Sequence, residues 1–239
     1  MLSLLAPMAL AVQSKPTVIL CHGAFADASS WNSVIPILQR DGYPVIAVQE
    51  PLTSTAEDVA ATKRAIARAK GPVVLVGHSY GGVVISAAGT GEASVKSLVF
   101  VAAIAPEMGE KFTEVAGRFP VTPLSSALVS DAQGFLTIDP LKFRDAFAGD
   151  VPTAQTRVMA VTQKPIAGAA LGGAFDGEPA WKRLPSWYIV SGNDHAIAPE
   201  QERFYAKRIN AKTTELRTSH VPFLSQPRAV ARVIEEAAG

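Results

Sequence analysis

The 239 residues predict an α/β fold, a doubly wound and mostly parallel sheet of about six strands. Three observations carry this expectation. From Thr17 onward, short apolar runs alternate with longer amphipathic stretches, as strands and helices taken in turn do. Several of the runs are continuously β-branched or aliphatic, the pattern of parallel strands covered on both faces. The stretches between them place apolar residues at helical spacing. In order, strands are expected at 17–21, 44–48, 73–76, 98–102, 187–191 and 213–216. After the first, Trp31, Val34, Ile35 and Leu38 fall at i, i+3, i+4 and i+7 and make one helical face. A helix-compatible run, 83–88, follows the third strand, and Val230, Val233, Ile234 and Ala237 repeat the helical spacing near the C-terminus. Helices between sequential parallel strands require right-handed crossovers and an open sheet.

Residues 106–185 break this rhythm. No convincing strand is visible there, but Pro and Gly are frequent and short helices are expected at about 141–148 and 153–163, the second introduced by Val151-Pro152. A stretch of this length without a strand is too long for a simple loop, so a helical insertion is expected. It carries Phe112, Phe119, Phe135, Phe143, Phe147 and Phe175, more apolar bulk than a solvated linker needs. The expected organisation is therefore one domain over 15–239 with a helical cap at about 106–185.

Composition narrows the function. Lys and Arg number 22 against 21 Asp and Glu, for a net charge of +1, with no long run of either sign. Without a basic stripe, nucleic acid is not an expected partner. Hydrophobic residues at 48% and charged residues at 18% predict a sizeable core rather than disorder. A single cysteine, Cys21, precludes an intrachain disulfide, and four scattered histidines form no cluster suited to zinc, so no metal is expected. Residues 1–14 begin with an almost wholly apolar run, too short to span a bilayer, so no stable membrane insertion is expected. Ala9-Leu10-Ala11 has the small-x-small form of an export cleavage site, although no Lys or Arg precedes Lys15. An exported location, periplasmic or secreted, is favoured over a cytoplasmic one. The alternative is a segment lying against the domain surface.

The sharpest chemical signal is Gly77-His78-Ser79-Tyr80-Gly81-Gly82, directly after the apolar run Val73-Val74-Leu75-Val76. A strand, a sharp turn bearing serine and then a helix is the context that gives G-x-S-x-G its force. Glycines two before and two after the serine leave room for a turn in which Cβ atoms would collide. Ser79 then stands at a helix N-terminus, whose amide dipoles favour the negative charge that develops during attack. A glycine-rich turn with an incidental serine is the plainer alternative.

A serine hydroxyl needs a base, and the base needs an orienting acid. Of the histidines, His220 in Thr218-Ser219-His220-Val221-Pro222 is best placed, between the last strand and the last helix. Loops leaving the carboxyl ends of parallel strands converge, so it can approach Ser79. His78 lies inside the turn, His22 is expected to order the loop after the first strand, and His195 is expected at the surface. The acid is expected to be Asp194, after the strand 187–191; Glu107 is the rival. For a developing oxyanion, backbone N–H groups at Ala24 and Tyr80 can converge from the His22-Gly23 turn and the helix start. Phe25 is the alternative first donor, and it is also a candidate substrate-binding residue.

Together, the Gly77–Gly82 turn, the His22-Gly23 strand exit, Asp194 and His220 resemble those of the α/β-hydrolase superfamily from about Thr17 to Ala237. The similarity is to small bacterial esterase-like members and, more distantly, to plant methylesterases and hydroxynitrile lyases. The resemblance implies Ser79 as nucleophile, Asp194 as acid, His220 as base and a helical cap. Two departures stand out. The family's first two strands are missing, which predicts a six-stranded all-parallel sheet. The lyases carry a threonine in the strand-exit turn and a lysine after the base, where this chain has Gly23 and Val221, so lyase chemistry is disfavoured. The expected function is hydrolysis of a small apolar or aromatic carboxylic ester through an acyl-enzyme, with no metal or organic cofactor. Lactone opening or perhydrolysis in the same site, or a hydrolase-fold receptor for a small molecule, are the alternatives.

Overall fold

The computed structural model describes residues 15–239; the N-terminal expectations for 1–14 lie outside the described residues. Six strands form one sheet: β1 (Thr17–Cys21), β2 (Val45–Ala47), β3 (Val73–His78), β4 (Val95–Val101), β5 (Ser186–Ser191) and β6 (Lys212–Leu216). Their order is β2-β1-β3-β4-β5-β6, and every pairing is parallel. The central strands β1 and β3 are buried along their whole length, which is why their sequences are unbroken apolar runs. The edge strand β6 reads Lys-Thr-Thr-Glu-Leu and leaves three of its five residues exposed, a polar edge that discourages pairing with another chain.

Helices α1 (Ile35–Arg40), α2 (Thr55–Arg68), α3 (Gly81–Ala88), α6 (Pro199–Arg208) and α7 (Pro227–Ala238) cover the sheet, while α4 (Phe143–Phe147) and α5 (Thr153–Thr162) pack on each other in the insertion. Ser54 caps α2 by accepting the Glu57 N–H at 3.2 Å, with Glu57 and Asp58 in the first turn and Arg68 in the last, matching the helix dipole at both ends. In α7, Val230 and Ile234 are completely buried, worth about 1.5–3 kcal/mol each in transfer free energy. The Ser97 hydroxyl of β4 ties that helix down by donating to the Ala237 carbonyl at 2.7 Å. The face formed by Trp31, Val34, Ile35 and Leu38 is not one helix. Residues Ala28–Ser33 form a 3-10 turn and α1 starts afresh at Ile35, because Pro36 lacks the N–H that a continuous helix would need and fits only a first turn.

Segment 106–185 differs from its expected all-helical form. It contains α4 and α5, near their expected places, and also three short strands, Leu128–Ser130, Phe135–Ile138 and Ile166–Ala167, in a small antiparallel sheet. Strands of two to four residues are too short for an alternating pattern to register. The legible sign was the turn between the first two. There the Asp131 carboxylate accepts the N–H groups of Gln133 at 2.8 Å and Phe135 at 2.9 Å, and Gly134 takes a φ of 81°.

The sheet also fixes where loops can meet. Running outward from β1, the chain goes to β2 on one side and β3 on the other, so the carboxyl ends of β1 and β3 flank a topological switch point. Cys21 is in register with Gly77, and the two strands therefore deliver the turns that follow them side by side. Among the described residues, no helix is long and apolar enough to cross a membrane.

Candidate active site

The turn after β3 is built around a backbone that serine seldom adopts. Ser79 has φ 52°, in the left-handed region, a conformation costing about 1–3 kcal/mol that persists only where surroundings over-determine it. Here they do. The Ser79 N–H donates to the Val101 carbonyl at 3.1 Å, and the Ser79 carbonyl accepts the N–H groups of Gly82 at 3.0 Å and Ile104 at 3.1 Å. The glycines are required by close approaches, though not to each other in both cases. A Cβ on Gly77 would sit 2.4 Å from the Gly81 carbonyl oxygen, whereas one on Gly81 would sit 2.8 Å from the carbonyl oxygens of Cys21 and His22. Gly81 is therefore the point at which α3 slides under the end of β1.

The acid and the imidazole meet directly. His220 Nδ1 lies 2.5 Å from Asp194 Oδ2, with both side chains almost wholly buried. The other Asp194 oxygen accepts the N–H groups of Ala196 at 2.6 Å and Ile197 at 3.0 Å. The two loops are laced together: Gly192 N–H donates to Leu216, Asn193 N–H to Thr218, and the Thr218 hydroxyl bonds that of Ser191. Segment 106–185 reaches the same place. Asp150 accepts a short hydrogen bond from the Ser219 hydroxyl, and the Phe147 ring packs 4.9 Å from the His220 ring. The rival acid, Glu107, is turned away to pair with Lys182 at 2.5 Å.

His78, the residue before Ser79, binds the two halves of the site together. Its Nε2–H donates to the His220 carbonyl at 2.8 Å, and its ring lies 4.7 Å from the His220 ring. Burial pushes the His78 imidazole well below the usual histidine range, so it stays neutral. Ser79 Oγ and His220 Nε2 make no hydrogen bond to each other or to any other described group. In enzymes that pair a serine with an imidazole, that bond commonly tightens only when substrate is bound.

On the β1 side, the loop is ordered by His22. Its Nε2 accepts the Glu50 N–H at 3.1 Å and its Nδ1–H donates to the Gly23 carbonyl at 2.9 Å. Burial lowers this imidazole to about 4. It lies 3.6 Å from the Glu50 carboxyl, which burial pushes upward, so the two are neutral neighbours rather than an ion pair. The following N–H groups of Ala24 and Phe25, and that of Tyr80, have no partner among the described residues, although all three residues are buried. Leaving buried backbone donors unpaired is rare in folded proteins. Phe25 itself is left-handed, with φ 62°, and packs edge-on against Phe147 at 6.2 Å. Beyond this aromatic pair lies a cavity of about 370 Å³, lined by Phe25, His78, Phe147, Met159 and Val221 among others; Ser79 and His220 are not part of its wall.

His195 is exposed, its Nδ1 bonded to the Asp145 carbonyl at 2.9 Å. Three features were not anticipated: the His78 bond to the His220 carbonyl, the buried Glu202 behind Asp194, and the Tyr80 hydroxyl donating to Asp58 at 2.8 Å, which fastens α2 to the serine turn. Among the described residues, no group of three His, Cys, Asp or Glu side chains is arranged to hold a metal ion.

Comparison with known proteins agrees with this architecture. The model of the alpha/beta hydrolase family matches residues 18–233, and the chain belongs to that family. It is 28% identical to the alpha/beta hydrolase nvfD of Aspergillus novofumigatus, over 94% of this chain and 97% of that one. It is 26% identical to the pyrethroid hydrolase of Sphingobium wenxiniae, over 92% and 86%. The solved structure of polyneuridine aldehyde esterase shares the fold, with a TM-score of 0.80 at 18% identity, covering 94% of this chain and all of that one.

Proposed function

We propose that this protein is a serine esterase that cleaves carboxylic esters of small apolar or aromatic groups. The observation that carries the reading is the buried 2.5 Å pair of His220 and Asp194, on loops fastened through His78 to the left-handed Ser79. Likeness to a pyrethroid hydrolase supports an ester-type carbonyl as the target. The unpaired N–H groups of Tyr80 and of Ala24 or Phe25 support an oxyanion site beside the serine.

In this mechanism Ser79 Oγ attacks the carbonyl carbon while His220 Nε2 takes its proton. Asp194 holds the Nδ1–H, fixing the tautomer and stabilising the imidazolium. The carbonyl oxygen, now an anion, sits against the backbone donors. His220 then returns the proton to the departing alcohol. Water, activated by the same imidazole, attacks the acyl-enzyme and releases the acid. The chemistry needs no metal or organic cofactor. Residues 106–185 act as a cap, with Phe147 and Phe25 forming an apolar wall that selects the acyl or alcohol group.

The test is Ser79→Ala with an activated aryl ester and a fluorophosphonate probe. The wild type is expected to turn over the ester and take the label; the variant does neither, with its circular dichroism unchanged. Turnover that survives the substitution refutes the nucleophile. Tight binding of a small ligand with negligible turnover by the wild type refutes the enzyme. Profiling aryl esters graded by acyl length then defines the pocket.

A further inference from the structure

We infer that Glu202 is a positioning residue of the same site: its carboxylic acid donates a hydrogen bond to Asp194 and so holds the Asp194–His220 pair in line with Ser79. This rests on the proposed esterase function. Glu202 lies in the first turn of α6, which begins just past the Asp194 loop, and it is completely buried. One oxygen, Oε2, accepts the N–H of Ser191 at 2.9 Å; Ser191 ends β5, the strand that delivers Asp194. The other oxygen, Oε1, is buried and finds no N–H or O–H partner among the described residues. The Asp194 N–H closes a turn onto the Ser191 carbonyl at 3.2 Å, which brings the Asp194 carboxyl beside that of Glu202.

Two carboxyl groups in contact away from water cannot both be ionised, so one holds a proton. The count of donors decides which. Asp194 receives three N–H groups, from Ala196, Ile197 and His220. Glu202 receives only the one from Ser191. An ionised carboxylate has about four acceptor sites, so Asp194 has one left, suited to an acid O–H. Asp194 is thus the anion and Glu202 the acid. Other groups facing Glu202 do not reverse this. Tyr188 of β5 is a buried phenol whose hydroxyl donates to the Ala103 carbonyl. Arg203 of α6 turns outward to grip Glu215 of β6 at 2.7 and 3.0 Å. Burial and the neighbouring Asp194 push the Glu202 carboxyl well above the usual range, in agreement.

The test compares Glu202→Gln and Glu202→Leu with the wild type. Leucine removes the donor and frees Asp194 to turn, so kcat on an aryl ester is expected to fall about 10- to 100-fold with KM little changed. Glutamine supplies an amide N–H in place of the acid O–H and restores most of that loss. Because no charge is removed, the acid limb of the kcat/KM profile stays in place in the glutamine variant. A shift of that limb to lower pH by about one unit would mean that Glu202 had been an anion and overturns the inference. Full activity in the leucine variant also overturns it. A readout independent of catalysis is the infrared difference between wild type and Glu202→Gln at neutral pH. A protonated carboxyl band is expected in the wild type alone, and its absence overturns the inference even if Glu202→Leu fails to fold. Should the wild type hydrolyse no ester while the band is present, the esterase reading fails and the Glu202 hydrogen bond stands.

Discussion

Acid should loosen the protein through His22 before it does so through any surface carboxylate. The imidazole is completely buried at the exit of β1, accepting one N–H at Nε2 and donating from Nδ1. Protonation would set a second N–H against the Glu50 amide and break the bond that amide donates to Nε2, leaving only the Nδ1–H bond to the Gly23 carbonyl. In the unfolded chain the group binds its proton near 6.5, but in the folded chain only near about 4. Because the folded value is depressed, the full contribution to stability is present above 6.5 and is lost as pH falls through that interval to about 4. At 1.36 kcal/mol per unit, the loss from this one side chain is about 3 kcal/mol, a large share of a domain's ordinary stability. His78 adds to the loss with the same sign, while the raised carboxyls of Glu50 and Glu202 oppose it. The measurement is therefore a difference. Urea unfolding of wild type and His22→Gln is followed from neutral pH to about 4, each referred to its own neutral value. Glutamine keeps an acceptor for the Glu50 N–H but does not titrate, so the wild type is expected to lose about 3 kcal/mol more than the variant. Parallel curves would show that the buried imidazole is not the acid-sensitive element.

Two substitutions at the serine turn are also expected to be informative. Ser79→Gly should abolish ester turnover yet raise stability, by about 1 kcal/mol, because glycine relieves the left-handed strain at little steric cost; a thermal midpoint below that of Ser79→Ala would contradict it. Gly77→Ala should be lost to turnover and severely destabilised, since its Cβ would meet the Gly81 carbonyl oxygen at 2.4 Å, a backbone atom that cannot swing away. A well-folded, active Gly77→Ala variant would contradict the close approach of Gly77 to the Gly81 carbonyl.

The sheet was legible because burial on both faces imposes an apolar run, as in β1, β3 and the 98–101 part of β4. The turn after β3 was legible because its glycines and serine are local in sequence, and a strand-to-helix reversal needs them together. Asp194 and His220 could be nominated for a related reason: each follows a strand, and parallel strands bring their carboxyl-end loops to one rim. The small antiparallel strands of segment 106–185 escaped, as did the break before α1, since both depend on one turn or one proline rather than on a period.

The polar groups behind the rim escaped for a deeper reason. A glutamate in the first turn of a helix ordinarily faces water and answers the helix dipole, and Glu200, two residues before Glu202, does remain exposed. Nothing local separates the two. Glu202 is buried because α6 packs against β5 with that face inward, a decision made by the docking of two elements and not by the sequence of either. The same holds for Asp58, which would pass for a helix-start acid until Tyr80 is seen to donate to it, and for His78, whose partner is a carbonyl 142 positions away. A pattern along the chain can name the groups that react. The groups that hold those in place are chosen by tertiary packing, where an ionisable side chain taken out of water must find a partner or give up its charge.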